Sequence, residues 1–237
     1  MILTHTCSRC KKDYNADSVP GEHDICPDCW IGDSPEFQDF RKIPRLMREI
    51  VITEKIDGTN GVICITDTGL IFAGSRTRWL WNSTQAEIHN DNQGFARWVK
   101  EHKDELMKLG PGFHYGEWMG QGIQRTYGLK EKRFYLFNTA RWVKCEGFDI
   151  LSLTERCYHP SLENKQEYCP ECCYVVPVIY KGMLDGIAID NAMEELKWKG
   201  SKAIEGFMNP EGIVIYHSAA RQYFKKTIEN DEKGKEQ

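Results

Sequence analysis

The chain has 237 residues, 41% apolar and 28% charged, which suits a packed core and excludes wholesale disorder. No apolar run approaches the roughly 20 residues of a membrane span. The start, Met1-Ile2-Leu3-Thr4-His5-Thr6-Cys7, has neither the basic opening nor the apolar stretch of a secretory signal, so a cytoplasmic protein without a membrane partner is expected. A formal charge of -4, from 31 Lys and Arg against 35 Asp and Glu, argues against a coat that grips nucleic acid by bulk charge and leaves room for a local basic groove.

Ten cysteines without a signal sequence point to metal or reduced thiols rather than a disulfide framework. Cys7-Ser8-Arg9-Cys10 and Cys26-Pro27-Asp28-Cys29 are paired CxxC turns. Each can set two thiolates on one tetrahedral ion, so Cys7, Cys10, Cys26 and Cys29 are expected to hold a structural Zn2+ with no open position for catalysis. Residues 1–32 therefore read as a small zinc-ribbon-like module, too short to own a core without its ion. Residues 33–49 read as a linker with Pro35 and Pro44 and a basic cluster at Arg41, Lys42, Arg45 and Arg48.

From Ile50 the pattern turns to short strands. Ile50–Lys55, Gly61–Thr66 and Leu70–Gly74 are β-rich and divided by Asp-Gly and Asp-Thr-Gly turns, which predicts antiparallel hairpins. Ser83–Leu109 contains a helix, with Phe95, Trp98, Val99, His102 and Leu106 at helical spacing, and Gly110-Pro111-Gly112 stops it. Further strands are predicted at Phe113–Trp118, Phe134–Asn138, Tyr174–Tyr180 and Gly212–Tyr216, a second helix at Ala192–Lys199, and a last strand at Arg221–Ile228 before a charged tail at 229–237. Strand clusters broken by helices without strict alternation favour an α+β fold with antiparallel sheets. A Cys-rich insertion at about 145–173 offers a second candidate metal set in Cys157, His159, Cys169 and Cys172, against the plainer reading of a surface insertion with reduced thiols. Gly120-Gln121-Gly122-Ile123-Gln124-Arg125 fits neither a Walker nor a dinucleotide fingerprint and reads as a substrate-facing loop or a plain turn.

One ordered set of residues carries chemistry. In Glu54-Lys55-Ile56-Asp57-Gly58-Thr59-Asn60-Gly61 a lysine closes a strand and an Asp-Gly turn follows at once. Tyr115-Gly116-Glu117-Trp118 sets a carboxylate in a strand, Glu211-Gly212-Ile213-Val214-Ile215 starts another strand with one, and Phe224-Lys225-Lys226-Thr227 adds lysines. An ordinary amine, with a pKa of about 10.4, is protonated near pH 7 and cannot attack phosphorus. Neighbouring cations, here Arg76, Lys225 and Lys226 with a metal ion, favour its neutral form, and two glutamates beside them suit phosphoryl transfer, which is chiefly positioning and charge neutralisation.

This set resembles the covalent nucleotidyltransferases, the ATP-dependent polynucleotide ligases and mRNA capping enzymes, across about residues 43–228. Thr59-Asn60 after the glycine resembles the nick-sealing RNA ligase branch. The resemblance implies a nucleotidyltransferase (ligase adenylation) domain over 50–228, with sheets flanked by helices. It implies ATP and Mg2+ or Mn2+, a lysyl-AMP intermediate on Lys55, transfer of AMP to a 5′-phosphate and joining to a 3′-hydroxyl on RNA ends or a nicked duplex. Residue by residue, it implies that Glu54 lies near the adenine and that Asp57 and Gly58 shape the nucleotide turn. Asn60 and Arg76 would hold ribose and phosphates, Glu117 would contact the sugar hydroxyls or help orient the site, and Phe137 would stack on the base. Glu211 would hold a metal ion, and Lys225, with or without Lys226, the α-phosphate. Two departures stand out. Phe137 is followed by Asn138 where the family has Asp, and Lys225-Lys226-Thr227 replaces a Lys-x-Lys pattern. The alternatives are a capping guanylyltransferase, a DNA ligase, or a zinc-ribbon nucleic-acid-binding protein without catalysis. A compact ligase of this kind suggests a phage or other virus acting in host cytosol.

Overall fold

The structure, a computed structural model, describes residues 4–8, 10–15, 39–40, 42–88, 90–91, 93–144, 166–229 and 231. The chain divides into two compact units, Met1–Ile43 and Pro44–Gln237. In the first, β1 (Thr4–Thr6) and β2 (Asp13–Asn15) form an antiparallel hairpin. Cys7 and Cys10 sit in its connection, where the Cys10 amide donates to Cys7 Sγ at 3.4 Å and Lys11, at φ 61°, turns the chain back. Cys26 and Cys29 lie outside the described residues.

The second unit runs β3 (Glu49–Lys55), β4 (Thr59–Ile65), β5 (Ile71–Gly74), β6 (Trp79–Asn82), α1 (Phe95–Glu101), α2 (Lys103–Leu106), β7 (Gly112–Gly120), β8 (Lys132–Leu136), β9 (Trp142–Val143), β10 (Glu167–Tyr168), β11 (Cys173–Val175), β12 (Val178–Met183), α3 (Gly186–Lys199), β13 (Gly212–His217) and β14 (Gln222–Thr227). Two sheets dominate: a six-stranded one in the order β11-β8-β7-β4-β5-β6 and a four-stranded one in the order β12-β3-β13-β14. Alternating apolar residues give each sheet one closed face. Ile63, Ile65, Trp118, Phe134 and Leu136 pack with Phe95, Val99 and Leu106 under α1 and α2. Ile50, Ile52, Ile213 and Ile215 pack with Ala192, Met193 and Leu196 of α3.

The structure corrects several sequence expectations. β3 and β4 do not form a hairpin; Ile56-Asp57-Gly58 carries the chain from the four-stranded sheet to the six-stranded one. The single strand expected at Tyr174–Tyr180 is two, β11 in one sheet and β12 in the other, divided at Pro177, whose ring removes the amide a continuing ladder would use. The sheets are not wholly antiparallel. β11 lies parallel to β8, as a strand must that re-enters from the same end after a long excursion. The helix expected at Ala192 begins six residues earlier, at Gly186, because Asp185 Oδ1 caps it by accepting from the Ile187 amide at 2.9 Å. The helical segment before Gly110 breaks at His102 into α1 and α2, and Gly110, at φ 74°, ends it.

Candidate active site

Lys55 closes β3 and pairs with Gly212 at the start of β13, which places Glu211 beside it. Lys55 Nζ donates to Glu211 Oε2 at 2.5 Å, with both side chains mostly buried. Gly212 lets the backbone of β14 lie close: it sits at φ 152°, and a Cβ on it would lie 2.2 Å from the Lys226 carbonyl oxygen. Register then sorts the two lysines of β14. Lys225 stands opposite Val214, which stands opposite Thr53, so it shares the face of Lys55. Lys226 stands opposite Ile213 on the α3 side, where its Nζ pairs with Asp190 Oδ1 at 3.0 Å.

The crossover after Lys55 is held from two directions. The Asp57 amide donates to Tyr127 Oη at 2.8 Å, and Arg125 Nε lies 3.1 Å from Asp57 Oδ2. Tyr127 is buried, with its ring 4.4 Å from that of Phe207. The loop that presents Arg125 and Tyr127 carries Gln124, Thr126 and Tyr127 at φ 45°, 56° and 54°, a run of strained non-glycine residues that surrounding contacts must hold. Gly58 packs directly on β7; a Cβ there would meet the Trp118 carbonyl oxygen at 2.5 Å.

Across the crossover, Asn60 and Tyr135 flank Glu117 in one row of the six-stranded sheet. Burial pushes the Glu117 carboxyl up to about 7; Lys55 and the Gly58 amide pull it down, while Glu211 and Asp57 add to the rise. Lys55, Glu211 and Asp57 therefore form a cluster within electrostatic reach of Glu117. Phe137 follows β8, donates its amide to the Tyr115 carbonyl oxygen at 3.0 Å, and packs with Ile56, Met119, Tyr127, Tyr135 and Val176 beside that cluster.

The model of the RNA ligase family matches residues 48–228. The chain belongs to the RNA ligase family. Within this RNA ligase family member the matched span holds both main sheets and every residue of the Lys55 cluster, and the β1–β2 hairpin lies outside it. Comparison with curated proteins gives no match. Among solved structures, a Naegleria gruberi RNA ligase variant with AMP and Mn aligns at 19% identity over 83% of this chain and 58% of its own, with a TM-score of 0.47. A variant from the same organism with ATP and Mn aligns at 17% identity over 77% of this chain and 50% of its own, with a TM-score of 0.45. The chain thus spans about half to three-fifths of the length of the solved ligases it aligns with.

The remaining sequence candidates of this RNA ligase family member are placed as follows. The Glu54 carboxylate is buried: it accepts from Ser201 Oγ at 2.6 Å and from the Lys202 and Ala203 amides at 2.7 and 2.9 Å, pinning the turn after α3. Desolvation nevertheless raises its pKa. Arg76 is exposed on the turn between β5 and β6. Cys157 and His159 lie outside the described residues. Cys169 is buried, and Cys172, whose amide donates to Glu105 Oε1 at 2.7 Å, packs on the core under α2. Among the described residues, no group of three or more His, Cys, Asp and Glu side chains is arranged to hold a metal ion, and no helix is long and apolar enough to cross a membrane. Tyr127 is the residue of this crossover that sequence reasoning missed; Arg125 stood at the end of the Gly-rich loop, and its ion pair with Asp57 was not foreseen.

Proposed function

We propose that the chain is an ATP-dependent RNA ligase that stores AMP on Lys55, passes it to a 5′-phosphate end and joins that end to a 3′-hydroxyl. The observation that carries this reading is the Lys55–Glu211 pair, set where the chain leaves one sheet for the other and within electrostatic reach of Glu117. Glu211 Oε2 holds the Lys55 ammonium, and attack requires the amine to shed a proton. Glu211 Oε2 is the acceptor already in place, and it returns the proton to water.

In the first step Lys55 Nζ bonds to the α-phosphorus of ATP as the bond to pyrophosphate breaks. In the second an oxygen of the 5′-phosphate attacks the same phosphorus, the N–P bond breaks and Lys55 regains its proton. In the third the 3′-oxygen, losing its proton to solvent, attacks the 5′-phosphate phosphorus and AMP leaves. Lys225, on the face of Lys55, binds the α-phosphate, and Arg76 meets phosphate oxygens. Asn60 and Glu117 hold the ribose, and Phe137 stacks on the base. Glu211 is the carboxylate that would hold Mg2+ or Mn2+, and such an ion would neutralise triphosphate charge. We also propose that Cys7, Cys10, Cys26 and Cys29 hold a structural Zn2+, a reading supported by the Cys10 amide aimed at Cys7 Sγ. Stoichiometric zinc in the purified chain, lost in Cys7→Ser, is the expected result.

The decisive experiment incubates the chain with α-labelled ATP and a divalent ion and asks whether label survives denaturation on the polypeptide. Label in the wild type and none in Lys55→Ala is expected. Absence of label in the wild type refutes the reading, and label from GTP instead of ATP replaces it with a capping enzyme.

A further inference from the structure

Residues 113, 115 and 117 alternate along β7, so the side chains of Phe113 and Tyr115 continue the face that carries Glu117. Large aromatic residues on a sheet face normally disappear under another layer. Here Tyr115, Phe113 and Trp79 are 56%, 59% and 49% exposed. Their rings form a row. Tyr115 and Phe113 are stacked 12° from parallel with centroids 6.1 Å apart, and Phe113 and Trp79 lie 6.3 Å apart at 30°. The sheet makes room for the row. Gly74 stands opposite Val62 and Trp79, and a Cβ on it would meet the Trp79 ring at 2.8 Å, so the missing side chain lets that indole lie over the strand.

Two further features say what the row is for. It is continuous with the candidate active site, since Tyr115–Val62 is the second cross-strand pair along from Glu117–Asn60. Its β6 end follows Arg76-Thr77-Arg78 in the chain, with both arginines exposed, and adjoins a cleft of about 210 Å3 lined by Arg78, Trp79, Asn82 and Gln85 among others. Exposed rings beside arginines are the chemistry that accepts unstacked bases and their phosphates. Bases in a duplex hide their faces against one another and offer such rings nothing.

We infer that Tyr115, Phe113 and Trp79 form a base-stacking platform for a single-stranded stretch of RNA that adjoins the end being joined, with Arg78 along its phosphates. The inference rests on the ligase reading for its substrate, and its test separates the two. The full chain and the variants Phe113→Ala, Trp79→Ala and Phe113→Trp are compared in AMP capture on Lys55, which involves no RNA. They are also compared in binding of a fluorescein-labelled oligouridylate and of a blunt RNA duplex of equal length, by anisotropy.

Each alanine variant is expected to weaken oligouridylate binding by about tenfold and to leave duplex binding and the KM for ATP within twofold of wild type. Phe113→Trp keeps oligouridylate affinity. Unchanged oligouridylate binding in both alanine variants overturns the inference. So does an equal loss for the duplex, or a KM for ATP that rises in step, which would assign the rings to the nucleotide pocket. Wild-type self-association that Phe113→Ala abolishes also overturns it, because a second copy would then cover the row. Failure of the wild type to capture AMP refutes the ligase reading instead and leaves the oligouridylate comparison intact.

Discussion

The two faces of the six-stranded sheet are made by the same strands and differ in everything else. One presents Ile63, Ile65, Trp118, Phe134 and Leu136 and is closed by α1 and α2. The other presents Asn60, Glu117 and Tyr135 in one row, with Lys55 and Glu211 acting on Glu117 across the crossover. Because side chains alternate, β7 delivers a site carboxylate at 117 and a core indole at 118. The lesson is that the site borrows rigidity from a core one residue away, while its chemistry is carried by different side chains. Stability and catalysis should therefore separate cleanly by face.

The largest effect expected is on the closed face. Phe134 is fully buried, with its ring 5.1 Å from Phe95 and 5.8 Å from Trp98. Phe134→Ala should cost about 3–5 kcal/mol of unfolding free energy, read from a urea transition. AMP capture per folded molecule should stay near wild type in conditions where the variant remains folded. An unchanged transition would show that the face is not the core. The counterpart on the open side is Glu211→Gln, which keeps shape and removes charge. It should lower the rate of lysyl-AMP formation by about a hundredfold, the usual scale for one preorganised electrostatic group, while moving the urea transition little.

A smaller effect, with a definite sign, follows from Glu117. Its carboxyl titrates at about 7 in the folded chain against 4.5 as a reference. The native state therefore holds this proton more tightly than the unfolded state does. Its contribution to stability is fully present below pH 4.5, is lost as pH rises toward 7, and stays lost above. Glu117→Gln abolishes that dependence. The variant should gain on the wild type by the order of 1 kcal/mol between pH 5 and pH 8, a figure reduced for solvent screening. AMP capture by the wild type should rise between pH 6 and pH 8 as the carboxylate forms, and the rise should flatten in Glu117→Gln. A pH-independent stability difference between the two proteins would contradict the burial of this group.

Much of this site was legible because its residues sit in local patterns. Lys55 before an Asp-Gly turn, Glu117 inside Tyr-Gly-Glu-Trp and Glu211 at the head of an apolar strand each show themselves within a few positions. Tyr127 did not, and neither did the partner of Arg125. The glycines at 120, 122 and 128 hinted at an irregular loop, but their partner Asp57 is about seventy positions away, and no local pattern encodes that distance. The same limit explains the crossover. Asp57-Gly58 has the composition of a hairpin turn, and whether the next strand pairs with the last or joins another sheet is settled by long-range partners. β6 was missed for a different reason: Trp-Leu-Trp-Asn lacks the polar alternation that marks a half-exposed strand.

The smallest effect tests that same long-range order in the four-stranded sheet. Sequence alone cannot rank Lys225 and Lys226, since adjacent residues of a strand point to opposite faces and the register decides which is which. The observed register sets Lys226 with Ile213 and against Asp190 at 3.0 Å, a pair exposed enough to be worth little. Lys226→Ala should therefore shift unfolding by no more than about 0.5 kcal/mol and leave AMP capture within about twofold of wild type. Lys225 occupies the face of Lys55, and Lys225→Ala should raise the KM for ATP by about tenfold, as loss of a charged phosphate contact does. The opposite ranking would mean that β14 is out of register by one residue, and every side-chain assignment on that strand would invert with it.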